Sequence, residues 1–191
     1  MKFEAQYMST IKFSHIASTY NEYLDSLYAY ALHLGFDDHS AMDAIHDVFY
    51  KLCTQHSSLN EIDNLKFYLF RSLRNRLIDL SRTKREHPYP HLIGEMIEAD
   101  LPFQLNVTVE DEFIEKEEAE KIREKVENVL SQLTHRQREI VYLRYIQECS
   151  YDEISEIMEI SVAASRNLVS KSIAKLRVAS LATSSLLLII H

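Results

Sequence analysis

The chain has 191 residues, enough for one or two domains, and 46% of them are hydrophobic, enough to build cores. Only 2 Gly and 3 Pro interrupt it, and Leu, Ile, Glu, Ala and Lys are abundant, which points to an all-helical protein. A formal charge of -8 argues against a protein that coats DNA by bulk attraction. It leaves room for one that gathers its bases on a single face.

Cys53 and Cys149 stand far apart, with neither zinc-site spacing nor a disulfide framework, as expected of a protein kept in a reducing cytoplasm. The N-terminus has no apolar core of a secretory signal. The apolar run at 180–190 is roughly half of the about 20 residues a spanning helix needs, so stable membrane insertion is not expected.

Along the chain, Ile16, Tyr20, Tyr23, Leu24, Leu27, Ala31 and Leu34 recur at helical spacing and predict a helix over 14–34, with Gly35 as its C-terminal cap. After a turn at 37–40, Ala41, Ala44, Ile45, Val48, Phe49 and Leu52 define a second helix. Its opposite face carries Asp43, His46, Asp47 and Lys51. Residues 54–62 are polar and without period, hence a loop.

A third helix is predicted over 64–84. Leu69, Phe70, Leu73, Leu77 and Leu80 fall on one side of it, and Arg71, Asn75, Asp79 and Arg82 on the other. This stretch is basic: Lys66, Arg71, Arg74, Arg76, Arg82, Lys84 and Arg85 face one acid, Asp79, which suits a helix ion pair with Arg82 or Arg76. Bases combined with an amide suit phosphate and base-edge contacts, so Lys66, Arg71, Arg74, Asn75 and Arg82 are candidate nucleic-acid ligands.

His87-Pro-Tyr-Pro-His91 ends the helix, because a residue before Pro is pushed out of the helical region. Residues 87–110 read as an acidic linker. Two His across two prolines share no helix face, and nothing nearby completes a metal site.

Ile114, Ile122, Val126, Val129, Leu130 and Leu133 mark a helix over 111–132. Thr134-His-Arg-Gln137 is a capping box opening a helix through Ile146, and Ser150-Tyr-Asp-Glu153 is a second one. After the second box, Ile154, Ile157 and Met158 supply a buried side, and Ser161 is a fitting N-cap for a further helix. There Val162, Ser165, Val169, Ile173 and Leu176 share one face. Ala163, Ala164, Asn167, Ser170 and Lys171 share the opposite one, with Arg166 at its flank. From 161 to 177 this segment has bases and no acid. Helix, tight turn and basic helix form a helix-turn-helix, the arrangement that lays a helix in the DNA major groove. Asn167 suits a purine edge, Lys171 a guanine or phosphate, and Arg166 a phosphate.

These segments together resemble the extracytoplasmic-function group of bacterial RNA polymerase sigma factors, over 13–85 and 111–177. Leu133-Thr-His-Arg-Gln-Arg-Glu-Ile-Val-Tyr-Leu-Arg-Tyr, Ser150-Tyr-Asp-Glu-Ile and Ile160-Ser-Val resemble the promoter-binding C-terminal domain. Ala41-Met-Asp-Ala-Ile-His-Asp-Val-Phe49 resembles the helix that docks on the polymerase clamp. Asn64-Leu-Lys-Phe-Tyr-Leu-Phe-Arg71, with Arg74, Asn75 and Asp79, resembles the helix that engages the downstream promoter element. Asn167-Leu-Val-Ser-Lys resembles the subset found in Bacteroidetes.

The resemblance implies an all-α protein of two small helical domains, 13–86 and 111–179, joined by the linker 87–110, with the helix-turn-helix in the second. It implies core RNA polymerase and promoter DNA as partners, an anti-sigma protein as a further one, and no cofactor, metal or small-molecule substrate. Asp43, His46, Asp47 and Lys51 would meet polymerase. Asn60, with Lys66 and Arg71, would border a pocket for an unstacked base, and the acidic linker would follow the RNA exit path as a nucleic-acid mimic.

The chain departs from the family pattern at Glu159, where Gly is usual, at Ser165, an inward position usually aliphatic, and at Leu168, usually more polar. An ordinary helix-turn-helix regulator would need a sensor or receiver domain, yet residues 1–110 show no alternating β/α pattern. An enzyme is opposed by the lack of a His/carboxylate pair at ligand or triad spacing and of a Gly-rich phosphate loop.

Overall fold

The computed structural model describes residues 2–55, 59, 62–85, 101–105 and 116–182, and all of its regular elements there are helical. They divide into two compact units, one within 1–99 and one within 100–191.

The first unit has three mutually packed helices, α1 (Lys2–His33), α2 (Asp38–Gln55) and α3 (Leu65–Arg85). Helix α1 starts well before the predicted residue 14, since no Gly or Pro interrupts the preceding chain. It stops at Gly35, whose φ of 83° is left-handed. The Gly35 N–H donates to Leu32 O and that of Phe36 to Ala31 O, a Schellman closure that satisfies two otherwise orphaned carbonyls. Asp37 then caps α2 by accepting the Ser40 N–H at 2.9 Å, and Asn64 caps α3 by accepting the Phe67 N–H at 3.0 Å.

Leu27 and Ala31 of α1, with Leu34 just past its end, are fully buried against Ala41, Ala44, Ile45 and Leu52 of α2 and Leu69, Phe70, Leu73 and Leu77 of α3. Tyr30, outside the predicted stripe, is buried as well and lies 5.2 Å from the Phe70 ring centroid. Each such side chain contributes about 1.5–3 kcal/mol, against about 1 kcal/mol for a cap. Packing therefore holds this unit, and the caps set where its helices begin.

The second unit contains α4 (Lys116–Ser131), α5 (His135–Val141), a π-helical turn at Tyr142–Ile146, α6 (Tyr151–Ile157) and α7 (Val162–Ala182). Both predicted capping boxes are formed, at Thr134/Gln137 and Ser150/Glu153. Ser161 accepts the Ala164 N–H at 3.1 Å, as expected of the α7 N-cap. The π turn was not foreseen. In it Gln147 N–H reaches back five residues to Tyr142 O, and Glu148 then reverses the chain at φ 55°. Burial pushes the Tyr142 phenol above its ordinary pKa, so it stays neutral, and it accepts a bond from Gln147 Nε2 at 2.9 Å.

Glu159 does hold the left-handed conformation that the turn demands, with φ 53°. The N–H of the next residue, Ile160, closes onto Ser155 O.

Residues 101–105 lie inside the stretch read as linker, yet they belong to the second unit's core. Leu101 and Phe103 are buried, and the Phe103 ring lies 5.4 Å from that of Tyr142. The Phe103 carbonyl accepts from Arg138 Nη1 at 3.2 Å and lies 3.1 Å from His135 Nδ1. The rest of 86–115, the base-pocket residue Asn60 and the apolar run at 183–190 lie outside the described residues.

Phe103→Ala is expected to cost about 3 kcal/mol, the range for a buried aromatic truncated to Ala, seen as a lower urea midpoint in far-UV circular dichroism. Glu159→Gly is expected to stabilise by about 0.5–1 kcal/mol. The relief of left-handed strain exceeds the added entropy of the unfolded glycine, and the same measurement would show a raised midpoint with an unchanged slope.

Candidate nucleic-acid interface

Helix α7 sorts its residues by face. Ala163, Ala164, Arg166, Asn167, Ser170 and Lys171 are all exposed, while Ser165, Val169, Ser172 and Leu176 are buried. A run of small residues precedes the polar ones on the open side, so the backbone there can approach a groove closely. The inward serines are accommodated without losing hydrogen bonds. Ser165 Oγ donates to Val162 O at 2.7 Å and approaches Tyr151 O at 3.3 Å, tying α7 to the start of α6. Ser172 Oγ donates to Leu168 O at 2.7 Å.

The far end of α7 is tied to the first capping box. Lys175 Nζ donates to Gln137 Oε1 at 3.2 Å, and the same oxygen accepts the Thr134 N–H. Val129, Leu133 and Leu176 pack beneath it. The helix that carries the candidate base contacts is thus tied near its start, at Ser165, and again at Lys175, beyond the last of those contacts.

Two residues absent from the sequence reading stand beside this surface. Arg144, on the π turn, has its guanidinium 4.8 Å from the centroid of the Tyr151 ring, and Arg166 lies 5.5 Å from the same ring. The sequence offers a base two residues into a predicted helix end and an aromatic just after a cap. Nothing in helical periodicity joins them, because the π turn shifts the register.

In the first unit, Arg71 and Arg82 are exposed and Lys66 and Asn75 half-buried along α3, with Arg71 lying 5.9 Å from the ring centroid of Phe67. Arg74 is a correction. It is only 2% exposed, set into the core one position after Leu73, and it is not without a partner. A buried guanidinium is tolerated only when it is bonded in place, so Arg74 serves the scaffold and offers no surface to a strand.

On α2, Asp43, His46 and Lys51 are exposed and Asp47 half-exposed, on the face the sequence predicted. Three of the four are engaged within the unit. Asp43 lies 3.0 Å from His39 Nδ1. His46 Nε2 lies 3.1 Å from the Tyr20 hydroxyl. Asp47 Oδ2 accepts both Nε and Nη2 of Arg76 at 2.7 Å. Arg76, considered as a helix partner for Asp79, thus reaches across to α2. Tyr50, 70% exposed and one turn beyond His46 on the same face, was missed. Its i+4 spacing from His46 and i+7 from Asp43 would have placed it there.

Among the described residues, no three His, Cys, Asp or Glu side chains gather in a way that could hold a metal ion, and no helix is long and apolar enough to cross a membrane.

Residues 19–87 match the family description Sigma-70 region 2, and residues 123–176 match Sigma-70, region 4. The chain is 27% identical over 164 residues to the ECF RNA polymerase sigma factor SigM of Bacillus subtilis (strain 168), covering 85% of this chain and 93% of that protein. Its fold is similar to that of the sigma factor RpoE in complex with the anti-sigma factor NepR from Bartonella quintana. The TM-score is 0.58 at 21% identity, over 85% of this chain and 94% of that one. It is also similar to CnrH in complex with the cytosolic domain of CnrY, with a TM-score of 0.54 at 18% identity, over 95% and 96% of the two chains.

The Asp47–Arg76 pair is partly open to water, so it is worth at most about 1 kcal/mol. Asp47→Ala is expected to lower stability by up to that amount and Asp43→Ala by less than about half of it, in matched urea titrations.

Proposed function

We propose that this chain, which belongs to the sigma-70 family through both of its helical units, works as an extracytoplasmic-function sigma factor: it binds core RNA polymerase and directs promoter recognition, DNA melting and the start of transcription. The observation that carries this reading is the order of the two matches, region 2 on the first unit and region 4 on the second. An ordinary helix-turn-helix regulator has no use for a region 2 unit.

In this scheme the second unit reads the upstream promoter element as duplex. Asn167 and Lys171 reach base edges, Arg166 and Ser170 the backbone, and Ala163 and Ala164 let α7 lie close in the groove. The first unit engages the downstream element along α3 through Lys66, Arg71, Asn75 and Arg82, with Asn60 at the pocket for a flipped base. Unstacking that base costs a few kcal/mol, which polymerase binding offsets. The α2 face with Asp43, His46, Asp47 and Lys51 meets polymerase, joined by exposed Tyr50.

The factor itself makes and breaks no covalent bond, since the polymerase does the chemistry. Its net charge of -8 suits this division of labour, because a free factor with weak bulk attraction for DNA leaves site selection to the holoenzyme. The working place is the cytoplasm, where polymerase is. An anti-sigma protein is the natural restraint, and the solved complex of RpoE with the anti-sigma factor NepR supports one. The acidic linker, apart from the packed residues 101–105, acts as a mimic of nucleic acid along the RNA exit path. The run Asn167-Leu-Val-Ser-Lys supports placing the chain with the Bacteroidetes group.

Gel filtration of the purified protein with core RNA polymerase tests the reading. Co-elution is expected, and Asp43→Lys should weaken it while leaving the fold intact. Failure to co-elute, together with tight sequence-specific DNA binding by the protein alone, would replace this reading with that of an ordinary regulator. On a promoter bound by the holoenzyme, Asn167→Ala or Lys171→Ala should cost about 1–3 kcal/mol if the side chain contacts a base edge. The loss would be confined to promoters that carry the contacted base, as competition between matched and mutated duplexes would show.

A further inference from the structure

One aromatic ring in the second unit gathers two cations from two other elements. Tyr151 opens α6, Arg144 comes from the π turn, and Arg166 from α7. The two guanidinium carbons lie 4.8 and 5.5 Å from the ring centroid, both within cation–π range. Arg144 is fixed further by donating from Nη1 to the Cys149 carbonyl at 2.7 Å. The backbone of Tyr151 is tied to α7 as well, through the Ser165 hydroxyl on its carbonyl.

Neither arginine is ion-paired with a carboxylate among the described residues. Among the described residues, no carboxylate neutralises their charge. Like charges drawn to one ring repel each other, and the negative face of the ring opposes that repulsion. A long, flexible side chain loses rotamer freedom when it grips a phosphate. An arginine already held on a ring loses less.

We propose that Tyr151 is a positioning residue of the upstream-element interface, whose ring presets Arg144 and Arg166 as a pair of cations for the DNA phosphate backbone. The inference rests on the sigma-factor reading and adds to it Arg144 as a ligand and Tyr151 as the part that acts through both arginines. Because phosphates carry no base identity, this pair sets register and affinity, while Asn167 and Lys171 discriminate sequence. The ring face is what matters, and the hydroxyl is dispensable.

The test uses the full chain assembled with core polymerase, and a promoter duplex recovered by the wild-type holoenzyme from a random duplex pool. Binding is measured over a range of salt concentrations for Tyr151→Phe, for Tyr151→Leu, for Arg144→Gln with Arg166→Gln, and for that pair combined with Tyr151→Leu. Tyr151→Phe should match wild type in affinity and salt slope. Tyr151→Leu should lose roughly 5- to 30-fold in affinity, the worth of two cation–π contacts, and its slope should fall by up to about 0.9 for each phosphate released. The loss should be equal on the recovered duplex and on a scrambled one.

In the background lacking both arginines, Tyr151→Leu should add nothing. This cycle also separates positioning from a fold defect, because a fold defect would persist without the arginines. An unchanged slope in Tyr151→Leu overturns the proposal, as does a Tyr151→Phe variant as weak as Tyr151→Leu, or a leucine effect that survives loss of both arginines. A wild-type holoenzyme that enriches no duplex would instead overturn the sigma reading beneath it.

Discussion

The second unit depends on one requirement: backbone groups at helix ends cannot be left without partners. Between Thr134 and Ser161 the chain stops and restarts its helices within a few tens of residues. Each break exposes N–H and C=O groups that need partners. Thr134 with Gln137, Ser150 with Glu153, and Ser161 satisfy the N-termini. The C-termini close through the Gln147–Tyr142 bond and through the closure onto Ser155 past Glu159. Left-handed Glu148 and Glu159 are the cost of such close spacing. The angle at which α7 leaves α6, and so the surface it presents to DNA, follows from these closures more than from any single apolar contact.

The first unit works by a different balance. Its three helices run from 18 to 32 residues with two breaks between them, and its core is built of alanine, leucine, isoleucine, valine and aromatic side chains. Polar groups at its helix crossings tie helix to helix: Tyr20 to His46, and Arg76 to Asp47. The face proposed for polymerase is thus partly made of groups already engaged inside the unit. Exposed Tyr50, which brings apolar area to that face, complements them.

Much of this was legible in the sequence, for identifiable reasons. Amphipathic stripes on α2 and α3, both capping boxes, the Gly35 stop and the outward set on α7 follow from residue type and a period of 3.6. Arg74 was misread because charge was taken as a sign of exposure. Its position four after Phe70 and three before Leu77 lies inside the apolar stripe, so periodicity alone would have buried it. Leu101 and Phe103 flank a proline in a stretch too short for any period to register. The π turn has no residue signature, and with it went the meeting of Arg144 with Tyr151. What the sequence hid were contacts decided by register and tertiary neighbours.

Each of the two units has its own compact core, so the stability of each is a quantity in its own right. Each unit is a small domain of the size at which buried surface only narrowly outweighs chain entropy. A partner that binds one of them stabilises the unit it binds, by mass action on that unit's folded population. Occupancy of a surface therefore protects first the half that carries it from proteolysis. The abundance of the protein in a cell would then follow which of its surfaces is occupied.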